Sequence, residues 1–153
     1  MAKFRFRLES VLRLREMEED RAKRELHQVQ TNFRREEESL RSMVDLREKA
    51  KRDSRGSDPE VREIDVQELL RQRRYINILY QRILTKGQEL TKVGQEVERA
   101  KKSLGKARVR KRIVERLRER KKQEFLREES RREARELDEL GQAYNQYKKE
   151  STS

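Results

Sequence analysis

The chain has 153 residues, of which 47% are charged and only 31% hydrophobic, with a formal net charge of +12. That is too little apolar material for one compact core and fits the composition of long helices or coiled coils. It has no cysteine, which excludes disulfides, thiolate metal sites and cysteine nucleophiles. No N-terminal signal is expected, because Lys3, Arg5 and Arg7 lead into further charge and not into an apolar stretch. No run approaches the ~18 apolar residues that span a membrane.

The first predicted element is a helix over about residues 4–54. Leu8, Leu12, Ala22, Leu26, Val29, Phe33, Leu40 and Met43 follow a 3-4 spacing and form one seam, with Arg15, Glu19 and Glu36 as polar interruptions. Disorder, the competing reading of so much charge, does not hold such a register. At its start, Phe4 and Phe6 alternate with arginine. They are expected to brace this helix against the second near Arg110 to Val114. His27 is the single histidine. It sits just off the seam, where an exposed, non-catalytic side chain is expected.

A turn over about 55–59 follows, holding Gly56 and the sole proline, Pro59. Gly56 is the expected helix stop. Asp58 is the expected cap of the next helix, with Pro59 and Glu60 in its first turn.

The second helix is expected over about 60–148. Leu69, Ile76, Ile83, Leu90, Val97 and Leu104 form one series, and Leu79, Val93, Ala100, Ala107 and Val114 a second, with Lys86 its exception. The two series are offset by three residues, as a and d positions are. A short turn makes the helices antiparallel. The expected fold class is therefore all-α: an antiparallel two-helix coiled-coil hairpin, one domain over 1–153, with the second helix much longer. Folding about residue 57 or 58 places Leu8 near Ala107. The last ~40 residues then overhang by roughly 60 Å. Leu126, Leu137, Leu140, Tyr144 and Tyr147 stripe that tail, which should fray if nothing covers it.

A hairpin of two helices offers no catalytic pocket. The carboxylates interleave with Arg and Lys as surface pairs, and no set of metal ligands converges. No enzyme activity, cofactor or metal is expected. Gly87 and Gly94 lie one heptad apart, where they either admit another chain closely or soften the helix. Two features could bind partners. Lys106 to Lys122 holds ten basic residues against Glu115 and Glu119, a segment suited to an acidic protein surface. Tyr75 to Tyr80, with Ile83 and Leu84, places more apolar and aromatic surface on the helix than one seam can bury. A basic helical nucleic-acid-binding protein and a self-associating structural coiled coil remain open readings.

The opening Phe4 to Asp20, FRFRLESVLRLREMEED, resembles the start of the flagellar export protein family FliJ, which begins F-x-F-x-L-x-x-[VL]-L-x-[LH]-[RK] and continues with acidic residues. Arg112 to Lys121, RIVERLRERK, and Arg132 to Glu139, REARELDE, are similar to its C-terminal part. The resemblance implies a cytoplasmic component of flagellar type III export, peripheral at the inner face of the cell membrane. It implies a hairpin similar to the γ-subunit stalk of rotary ATPases. Its implied partners are the hexameric export ATPase FliI, the export gate FlhA and export chaperones, and no nucleic acid. By position it implies gate contacts at Tyr75, Leu79, Arg82 and Lys86. Ring contacts fall on Phe4, Phe6 and Leu8 at one end, and on Arg110, Arg112, Arg116, Arg118, Arg120 and Lys121 at the other.

Overall fold

The computed structural model describes residues 3–55 and 65–151. Among them there are two helices and no strand: α1, Glu9–Arg55, and α2, Val66–Ser151. The expected fold class holds. The helices pair antiparallel, and α2 is the longer.

The described chain divides into two compact units, one of residues 20–106 and one of residues 1–19 with 107–153. In the first, Ala22, Leu79 and Leu104 are the buried core. Phe33 of α1 lies against Gly94 of α2, and Arg47 against Tyr80. The numbers rise along one helix and fall along the other, which is the signature of an antiparallel seam. In the second unit Leu12 and Ala107 are buried, and with them the carboxylate of Glu19, only 6% exposed. Phe4 meets Phe125, Glu9 meets Arg118, and Glu19 meets Lys111. No described side chain is wholly enclosed, because each helix has a single partner to cover it.

The helix ends follow local chemistry. The α1 helix starts at Glu9, not near residue 4, and its first amide donates to Phe6 O at 3.3 Å. The acid of Glu9 lies in its first turn and the bases Arg52 and Arg55 in its last, each complementing the helix dipole. Asp65 caps α2: its Oδ1 accepts from the Gln67 amide at 3.0 Å, and its carbonyl accepts from Leu69 N. This is the arrangement of an N-cap aspartate. The expected turn residues Gly56, Asp58, Pro59 and Glu60 lie outside the described residues.

The cap at Asp65 bears on the pairing. Leu8 was expected opposite Ala107, yet Arg108, the neighbour of Ala107, bridges to Glu19 at 3.5 Å. The register is therefore displaced by about three helical turns. The α2 helix opens at Val66 and not at 60, which moves the pairing in this direction. The overhang shortens accordingly, since Phe125 to Ser151 spans about 40 Å at 1.5 Å per residue. Every side chain from 130 to 151 is exposed, yet the backbone stays helical to Ser151. Strong helix formers (Arg, Glu, Ala and Leu) fill the segment, and Glu129 pairs with Arg132 at 3.6 Å.

Candidate binding surfaces

The basic surface lies in the unit formed by the start of α1 and the end of α2. Heptad spacing turns Leu104, Ala107, Lys111 and Val114 toward α1. Lys111 occupies a seam position, and this brings its ammonium 2.9 Å from Glu19 and 3.7 Å from Glu115. The hydrogen bond to Glu19 raises the Lys111 pKa above its ordinary value, against the opposing effect of burial. Arg118 bridges to Glu9 at 3.5 Å, and Lys121 holds Glu124 at 2.8 Å, lowering the pKa of that carboxyl. These cations are spent inside the unit. Arg110, Arg112, Arg116 and Arg120 are exposed and make no ion pair within 4 Å among the described residues, though Arg120 adds to the field that lowers the Glu124 pKa; they supply charge to the outward surface.

Phe4 and Phe6 are half-buried ahead of α1, and Leu8 is exposed at its start. The Phe4 ring stacks at a tilt on Phe125, centroids 5.7 Å apart. It does not reach Arg110 to Val114 as expected, because the register places the start of α1 further along α2. Phe4, Glu115, Arg118, Glu119 and Lys122 line a shallow cleft of about 470 Å³. Of the residues expected at the ring, Phe4 and Arg118 line this cleft, and Lys121 lies beside it in sequence. Sequence reasoning does not single out Val109 and Ile113, which are 60% and 62% exposed. Their off-seam heptad positions were the available signal.

The apolar surface lies in the other unit. Leu79 is 3% exposed, in the seam, with Ile76 and Ile83 half-buried beside it. Tyr75, Ile78, Tyr80 and Leu84 remain exposed, as do Val44 and Leu46 of α1. Tyr75 and the exposed Arg82 are one heptad apart and flank the seam on one side. Tyr80 flanks the other, its ring covered by the Arg47 guanidinium at 4.8 Å from the centroid. This is a cation–π contact. Arg47 Nε is enclosed and has no hydrogen-bond acceptor among the described residues; the guanidinium instead lies over the Tyr80 ring. Lys86 pairs across the seam with Glu36, and with Glu89 at 3.7 Å. The hydrogen bond to Glu36 raises the Lys86 pKa. Of the four residues expected at the gate, then, Tyr75 and Arg82 project, while Leu79 and Lys86 serve the seam.

His27 is exposed, as its position off the seam implied. Among the described residues no helix is long and apolar enough to cross a membrane.

The sequence pattern of the flagellar FliJ protein family matches residues 4–150. A solved structure is also similar, that of a YscO homolog, CT670, from Chlamydia trachomatis. It is 26% identical with a TM-score of 0.61, and the match covers 97% of this chain and 99% of that one. No curated protein matches the chain.

Proposed function

This chain belongs to the family of flagellar FliJ proteins and is a component of flagellar type III export; on that premise we propose that it is a non-enzymatic stalk serving the export ATPase and the export gate. Its basic end binds the FliI hexamer, favouring ring assembly and ATP hydrolysis. The apolar surface at Tyr75 and Arg82 contacts FlhA, coupling the ATPase to the gate. The same coiled coil escorts export chaperones. It does so on the cytoplasmic side, held at the membrane by the export apparatus.

The observation that carries this reading is the sorting of cations along α2. Those facing α1 are neutralised by Glu9 and Glu19, whereas Arg110, Arg112, Arg116 and Arg120 are exposed and form no ion pair among the described residues. A protein surface of acidic character is the natural complement. The test is the ATPase rate of the cognate FliI titrated with this chain at physiological salt. Wild type is expected to stimulate and to co-migrate with the hexamer. Reversing Arg112, Arg116 and Arg120 to Glu should raise the half-stimulating concentration at least ~10-fold, because charge-matched contacts become like-charge contacts. Arg118 is left intact, since it holds Glu9. Undiminished stimulation by the reversed variant would remove the ring from this account.

A further inference from the structure

The most basic stretch of α2 contains an apolar pair that the fold does not use. Between Ala107 and Phe125 the exposed positions are filled by Arg, Lys, Glu and Gln, with two exceptions, Val109 and Ile113. They are 60% and 62% exposed. Ala107, Lys111 and Val114 turn into the seam, and at 100° per residue Val109 and Ile113 lie on the opposite side of the helix, so the pair points away from α1. At i and i+4 the two side chains adjoin on one face. Helix propensity does not account for them either. Val and Ile are β-branched and sit below Lys, Glu or Ala in a helix, so solvent-facing positions would be better filled by the latter.

The surroundings say what such a pair would meet. Arg110 and Arg112 flank it, and Arg116 lies on the next turn; all three are exposed and form no ion pair among the described residues. Two acids near it are engaged within the unit, Glu115 by Lys111 and Glu19 by Lys111 and Arg108. The outward face is therefore a small aliphatic centre with a rim of free guanidinium groups. This is the layout of an interface hot spot, in which polar contacts around an apolar anchor exclude water from it. A nucleic acid rewards cations and stacking rings, and gains nothing from an aliphatic centre. A bilayer rewards an apolar stripe sustained along a helix, and this one is a single turn long.

We propose that Val109 and Ile113 are the apolar anchor of the contact with the export ATPase ring, seated in an aliphatic recess rimmed by carboxylates. The inference rests on the ring reading above and adds to it. Charge brings the two surfaces together and sets the salt dependence, while the anchor holds them.

The experiment measures FliI stimulation and hexamer co-migration over a range of salt for the full chain, for Val109→Ser with Ile113→Ser, and for Val109→Leu with Ile113→Leu. Circular dichroism should show the same helix content in all three, since the positions are exposed. The serine pair is expected to bind at least ~10-fold more weakly with an unchanged salt dependence, and the leucine pair to keep most of the affinity. A serine pair that binds and stimulates like wild type overturns the anchor and leaves the ring reading standing. Wild type that neither stimulates nor co-migrates overturns both. Vesicles of phosphatidylcholine and phosphatidylglycerol serve as a further arm. If the serine pair loses vesicle binding and keeps ring binding, the pair faces a bilayer and the proposal fails.

Discussion

Replacing Gly87 and Gly94 with alanine should make this protein more stable. Both glycines lie well inside α2, and no described glycine has a positive φ, so neither holds a conformation that a side chain would strain. A Cβ built at Gly87 meets nothing within 4 Å; at Gly94 its nearest neighbour is Phe33 Cε2 at 3.5 Å, an ordinary contact. The remaining effect is that of helix propensity, about 1 kcal/mol per glycine-to-alanine change in a helix interior. The sites are one heptad apart, about 10 Å along the axis, far enough for the effects to add. The double variant should gain about 2 kcal/mol, which in a chain of this size raises Tm by about 4–8 °C. Thermal and urea melts followed by circular dichroism at 222 nm read this directly. A fall in Tm for Gly87→Ala alone would refute the reasoning, because it would mean that something approaches that backbone closely.

Two further tests address the ends and the seam. Asp65→Ala removes the acceptor for the Gln67 amide and should cost about 0.5–2 kcal/mol, with faster hydrogen exchange at Gln67; unchanged exchange there would dismiss the cap. Lys86 and Lys111 both have pKa values raised by seam carboxylates. Their pairing stabilises the fold in full below the free-lysine value of 10.5, and that stability is lost as pH rises through the higher folded-state values. Wild type should therefore lose Tm more steeply in that alkaline range than Lys86→Met with Lys111→Met; parallel curves would count against both pairs.

The class of fold was legible because heptad spacing is a property of the sequence alone. Leu79, Leu104 and Ala107, all placed in the seam by spacing, are among the buried residues. The register was not legible, because it depends on where α2 begins. Asp58 and Asp65 are both competent caps, and the described structure uses Asp65. The partner of Phe4 is accordingly Phe125 and not the Arg110 region. Glu19 and Glu36 were readable as polar seam positions, but their partners were not, since pairing across helices follows register. The division of cations into engaged and free was hidden for the same reason. Arg116 and Arg118 look alike in sequence, and only the nearness of Glu9 separates them.

The seam charges also decide which helix each helix accepts. Glu19 and Glu36 lie on α1, and their partners Lys111 and Lys86 lie on α2. Two copies of α1 laid side by side in parallel would bring glutamate against glutamate. Two copies of α2 would bring lysine against lysine. Like charges at such half-dry positions repel, and a single polar seam residue is enough to specify pairing in coiled coils. Each half of the chain thus disfavours its own duplicate and is satisfied by the other half.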